Sequence, residues 1–197
     1  MGTILFVSQR SQAEYTANIF LPARFYQTLQ VHDKDGVLAF RVSDEQIQAG
    51  ILLYQTLFDL GLATAPVSEA AYDGLELIDC RITNAVRCVP PENKPVGKEI
   101  NACRPFLVSR LAELKSVKAL VTLGKISHDS TLRALGLKVS AHPFGHDVHY
   151  EIQSPFDGAP LHIVSSYHCS RYNTNTGRLT PEMFQAVFEQ AKDLRRT

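Results

Sequence analysis

Lys118-Ala119-Leu120-Val121-Thr122-Leu123-Gly124-Lys125 decides the fold class. An apolar run of strand length is broken by a glycine, and a helical stretch follows to Leu135 and stops at Gly136. Downstream, Leu161 to Ser166 repeats the strand signature and is followed by a polar loop from Tyr167 to Gly177. Thr180-Pro181-Glu182 then supplies a cap and a first-turn proline for a last helix. Upstream, Lys98 to Leu114 places Ile100, Cys103, Leu107, Leu111 and Leu114 on one side of a helix, and Leu77 to Val86 reads as a strand. Ser43 with Gln46 is a capping-box pattern, and Ile47, Leu52, Leu53, Leu57 and Leu60 carry a stripe to a stop at Gly61. Thr3 to Val7 is a further short strand. Between them, Ser8 to Phe40 mixes aromatics, a proline and a turn at Asp33-Lys34-Asp35-Gly36 without a regular period.

Strands alternating with helices predict an α/β protein: a three-layer α/β/α sandwich around a mostly parallel four-stranded sheet. In such sheets ligands bind beyond the carboxyl ends of the strands. The two most polar loops, after Val86 and after Ser166, both start there. The length of 197 residues suits one domain, with residues 1–48 as an atypical N-terminal segment.

Hydrophobic residues make up 45% and charged residues 20%, the balance of an ordinary globular chain. Lys+Arg and Asp+Glu are both 20, so any nucleic-acid contact needs a local basic face rather than a basic total. No secretory leader pattern and no membrane-length apolar run is visible, so the expected setting is the reducing cytoplasm, without a membrane partner. There the four cysteines, Cys80, Cys88, Cys103 and Cys169, are expected to be buried, metal-bound or catalytic rather than paired. Nothing in the sequence sets the oligomeric state.

Two segments hold the candidate chemistry. In the first, Asn84 stands at a strand end, where its amide can offer a donor and an acceptor to a planar ligand or satisfy loop backbone. Pro90-Pro91-Glu92-Asn93-Lys94-Pro95 excludes helix there. Cys88 and Cys103 have fourteen residues between them, which matches no short zinc hairpin; by spacing alone they are buried thiols. In the second, His168 follows a strand and is placed to donate a hydrogen bond to charge developing on a leaving group, or else simply caps the loop. Ser170, Arg171 and the neighbouring hydroxyls could meet phosphates. A Cys169 nucleophile activated by His168 is disfavoured, because adjacent residues in extended chain point apart.

Together, Thr83-Asn84-Ala85-Val86-Arg87-Cys88, Pro90 to Pro95, Cys103-Arg104-Pro105, Leu123-Gly124-Lys125 with His128-Asp129, and His168 to Gly177 resemble the uracil-DNA glycosylase superfamily, above all the type 5 members of its iron–sulfur branch. The resemblance runs from about Ala49 to the C-terminus. It implies base flipping and hydrolysis of the N-glycosidic bond of uracil, and of other deaminated bases, in DNA. It implies that Asn84 lines the base pocket, that His168 is the catalytic histidine, and that Asn173 is the asparagine five residues beyond it. It implies that Ser170 and Arg171 lie on the DNA-facing loop, and that Cys88 and Cys103 are two of four thiolates holding a [4Fe–4S] cluster.

Two features depart from that pattern. Family members carry a Gly-Leu-Ala-Pro-Gly turn and a Thr-Gly-Asp segment ahead of the position of Ala49, whereas Gln46-Ile47-Gln48 stands here and Asp44 is out of register. No cysteine precedes Cys80, and Cys80 and Cys169 match no ligand position. The alternative expectation is therefore a non-catalytic DNA-binding relative that lacks the first motif.

Overall fold

The computed structural model describes residues 3–8, 44–67, 74–86, 95–113 and 117–196. The expected turn at residues 33–36, Arg87, Cys88 and the run 90–94 lie outside them. Five strands form the sheet: β1 (Thr3–Ser8), β2 (Cys80–Asn84), β3 (Val117–Leu123), β4 (Val148–Gln153) and β5 (Pro160–Ser166). The helices are α1 (Asp44–Asp59), α2 (Gly97–Glu113), α3 (Lys125–Ala134), the short α4 (Arg171–Asn175) and α5 (Pro181–Leu194). The strand order is β2-β1-β3-β5-β4; the first four run parallel and β4 is antiparallel to β5.

The α/β/α expectation holds, with one strand more than expected. Val148-His149-Tyr150-Glu151-Ile152-Gln153 alternates apolar and polar residues, the pattern of an edge strand with one face on the core. Tyr150 and Ile152 pack inward against the core, while His149, Glu151 and Gln153 occupy the other face. β3 is apolar almost throughout because it is central and covered on both faces.

The two faces hold separate cores. On one, Ile4, Phe6, Val121 and Val164 meet Leu53 and Leu57 of α1 and Phe184, Val187 and Phe188 of α5. The buried positions of α5 recur at the helical spacing 184, 187, 188 and 191, and Phe188 stacks on Phe6 with centroids 4.6 Å apart. Thr180 starts this helix by accepting the Met183 N–H at 3.2 Å, with Pro181 at its first turn. On the other face, Leu5, Val7, Leu120 and Ile163 meet Leu107 and Leu111 of α2 and Leu132 of α3. Each such fully buried side chain contributes about 1.5–3 kcal/mol, so truncating Phe188 to Ala would open the first core.

This wiring positions a crevice. From β1 the chain leaves toward β2, and from β3 it leaves toward β5 and β4, so the strand order reverses between β1 and β3. The carboxyl ends of the parallel strands all lie at one edge, the edge at which a sheet with such a reversal is expected to bind its ligand. The N-terminal segment set apart in the sequence thus supplies an inner strand of the sheet, with Ser8 beside Asn84 on one side and Leu123 on the other.

Candidate active site at the carboxyl edge of the sheet

Asn84 is the last residue of β2, half-buried at one flank of the crevice. The His168 segment leaves β5 at the other flank, three strand spacings away, on the order of 14 Å at the ordinary spacing of strands. Between them Leu123 ends β3 and Gly124 turns the chain into α3. Gly124 has φ +92° and its N–H donates to Ser166 O at 2.8 Å, so glycine is needed where the chain bends tightly against β5.

The polar residues after β5 serve the loop's own backbone. The Asn173 amide donates to the His168 carbonyl at 2.8 Å. Ser170 caps α4, its hydroxyl accepting the Asn173 N–H at 3.5 Å, and the Leu179 N–H donates to Asn173 O at 3.0 Å. Gly177, with φ +69°, closes the segment beyond α4. His168, Ser170 and Asn173 are thus one connected unit, with His168 half-buried at its base. Arg171 and Tyr172 stand outward on α4, Tyr172 being 68% exposed, and Arg178 is exposed beyond them.

Tyr167 precedes His168 and its ring is held by two neighbours. Its ring stacks on His146 at 5.1 Å, and the Arg178 guanidinium lies 4.3 Å from its centroid. The Tyr167 N–H donates to His146 Nδ1 at 3.3 Å, and the Ser166 hydroxyl donates to Tyr167 O at 2.9 Å. Spacing in the sequence does not single out His146, because it lies twenty residues and a hairpin away from the segment it touches.

His128, in α3, is fully buried. The His142 carbonyl can only accept, so Nε2 carries the proton of that 2.9 Å bond. Nδ1 is then the acceptor of the Ser165 hydroxyl at 2.8 Å, and Ser165 in turn accepts from Thr122 at 3.0 Å. Burial holds the His128 pKa below its ordinary value, so the ring is neutral and the chain ties β3, β5 and α3 together.

The cysteines separate by layer. Cys80 donates to Leu62 O at 3.3 Å, and both Cys80 and Cys169 sit in the core under α1 and α5. Burial pushes both thiols up to about 12, so Cys169 is no nucleophile at neutral pH. Cys103 is buried on α2, in register with Leu107 and Leu111, on the opposite side of the sheet. Cys80 and Cys169 therefore cannot join Cys103 around one metal centre. Among the described residues no group of three or more His, Cys, Asp or Glu side chains could hold a metal ion.

The family model described as the uracil DNA glycosylase superfamily matches residues 7–192. The chain belongs to the uracil-DNA glycosylase superfamily. That match reaches into the segment 7–48 and covers both flanks of the crevice. The chain is 44% identical over 146 residues to the type-5 uracil-DNA glycosylase of Thermus thermophilus, covering 74% of this chain and 64% of that protein. It is 38% identical over 149 residues to the type-5 enzyme of Mycobacterium tuberculosis, covering 75% of this chain and 54% of that one. With the type-5 enzyme of Pyrobaculum aerophilum the identity is 35% over 139 residues, covering 71% and 58%. The chain thus spans between about half and two thirds of the length of these relatives.

Proposed function

We propose that this chain excises uracil from DNA by hydrolysing the N-glycosidic bond of an extruded nucleotide. The observation that supports it best is the pairing of Asn84 and the braced His168 unit on opposite flanks of the crevice, in a chain of this superfamily. An extruded base in the crevice would meet Asn84 through its polar edge. As the bond to the sugar breaks, negative charge gathers on the base, and a hydrogen bond from His168 stabilises it. The sugar becomes oxocarbenium-like and takes up water, so the products are free uracil and an abasic site.

Ser170 and Asn173 hold the loop together, the Ser170 hydroxyl keeping its own proton for a phosphate, and the exposed Arg171 and Tyr172 of α4 would meet the DNA beside them. The exposed Tyr172 ring is suited to the space left in the duplex by the extruded base.

Among the described residues no four-thiolate iron–sulfur site is assembled. Cys88 and Cys103 stay the proposed half-set carried by the resemblance, Cys80 and Cys169 lie in the other layer, and no chemical step is assigned to a cluster. Localisation in the cytoplasm is part of the same proposal; among the described residues no helix is long and apolar enough to cross a membrane.

Incubation with a uracil-containing duplex, followed by alkali, tests the reading: strand scission at the uracil supports excision. A duplex that is bound but left intact refutes it in favour of a non-catalytic DNA-binding relative, the outcome that Gln46-Ile47-Gln48 in place of Thr-Gly-Asp would explain.

A further inference from the structure

The turn Gly145-His146-Asp147 sits outside every motif that carries the family resemblance, yet its geometry is specialised. A Cβ on Gly145 would meet Val148 Cγ2 at 2.6 Å, closer than real carbons approach, and a β-branched side chain has little room to turn away. Asp147 adopts φ +59°, uncommon for a residue with a side chain, and its N–H donates to Ser165 O at 2.8 Å. These constraints fix the turn against the end of β5 and project His146 beneath Tyr167.

His146 is then bonded to the chain that leaves β5. A backbone N–H can only donate, so Nδ1 is the unprotonated nitrogen that receives Tyr167 N–H at 3.3 Å. The Ser166 hydroxyl lies against the same nitrogen at 3.3 Å, so His146 meets two consecutive residues of the chain leaving β5. The ring also stacks on Tyr167, whose ring carries the Arg178 guanidinium as well. The preceding turn is itself anchored, because His128 donates to the His142 carbonyl. A continuous strut therefore runs from α3 through residues 142–146 to the peptide that enters His168.

We propose that His146 is a positioning residue for the reaction: by accepting a hydrogen bond from the Tyr167 N–H and stacking on the Tyr167 ring, it sets the direction in which the chain presents His168. It touches no substrate and acts through the backbone. The catalytic part of this inference rests on the excision reading above, while the bracing part does not. A displacement of about 1 Å at a catalytic group can slow a reaction about a hundredfold, so bracing from outside the loop has a measurable consequence.

The test compares the full-length chain with His146→Ala and His146→Asn, whose amide oxygen can stand where Nδ1 stands. Three quantities are read: single-turnover uracil excision, affinity for the duplex, and hydrogen exchange at the Tyr167 amide. The expected result is excision slowed about tenfold or more in His146→Ala, with affinity changed less than about twofold and faster exchange at Tyr167. His146→Asn should recover most of both losses. Unchanged excision in His146→Ala overturns the proposal, and so does an equal loss in the Asn variant, which would mark a merely structural ring. If the wild-type chain excises no uracil, the proposed function fails on its own, and exchange still decides the bracing. Protection lost in Ala and kept in Asn upholds it; equal exchange in all three overturns it.

Discussion

Replacing Asn173 by Ala separates two roles that its position permits, contact with DNA and support of His168. In the structure its amide donates to the His168 carbonyl at 2.8 Å from a half-buried position. A hydrogen bond of this kind contributes about 1 kcal/mol net, equivalent to about a fivefold factor in rate if His168 is presented correctly only while the bond is made. If the loosened loop also shifts His168 by about 1 Å, the loss grows toward about a hundredfold. The segment should still fold, because the Asn173 backbone keeps its bonds with Ser170 and Leu179. Asn173→Asp is the sharper probe: it keeps the shape, removes the donor, and turns a carboxylate oxygen toward a carbonyl. Single-turnover excision should therefore fall by between about fivefold and about a hundredfold in both variants, with the Asp variant no faster than the Ala variant. Affinity measured by fluorescence anisotropy should change less than about twofold. Full excision with weakened DNA binding would refute the reasoning and show that the side chain works on DNA directly.

Other outcomes follow from exposure and protonation. Tyr172→Ala should weaken binding to a uracil-containing duplex on the order of tenfold, the scale of a lost aromatic–base contact, and an unchanged titration would remove Tyr172 from the interface. Cys169, with its thiol pushed up to about 12, should resist iodoacetamide in the folded chain at pH 7.5, read by peptide mass; rapid labelling would contradict its placement in the core. His128, His146 and His162 are all held below the ordinary histidine pKa, by burial first in each case. The unfolded chain then binds protons that the folded chain refuses. The stability from these rings is complete above about pH 6.5 and is lost as pH falls toward the lowered folded values. Urea midpoints should drop between pH 7.5 and 5.5, less steeply in His128→Asn, and a flat profile would show that these rings titrate freely.

Much of the fold was legible in the sequence because periodicity reports burial. The apolar run of β3, the Cys103, Leu107 and Leu111 side of α2 and the Thr180-Pro181 start all became what their patterns imply. The strand at Val148–Gln153 carries a clean alternation but stands beside the irregular 137–147 stretch, and a four-stranded expectation left it out. Its antiparallel pairing with β5 is a matter of topology that no local pattern encodes. For the site, His168 and Asn84 were legible as polar residues just at strand ends. The use of Asn173 was not, since only a folded loop shows its amide turned back onto His168 O. His146 was invisible for a similar reason: its partners at 166 and 167 lie across a hairpin. Spacing alone implied a buried thiol at Cys103, and it is buried on α2; that Cys80 and Cys169 lie in the other layer is a matter of topology, which residue counts do not carry.

The account's central claim meets its most direct test in the release of free uracil from a uracil-containing duplex by excess enzyme, wild type against His168→Ala. The account predicts one uracil released per site by the wild type, leaving an alkali-labile position. His168→Ala should be slowed about a hundredfold or more, while affinity for the duplex stays within about twofold. A wild-type chain that releases no uracil, or a His168→Ala variant that releases it at the wild-type rate, would contradict it.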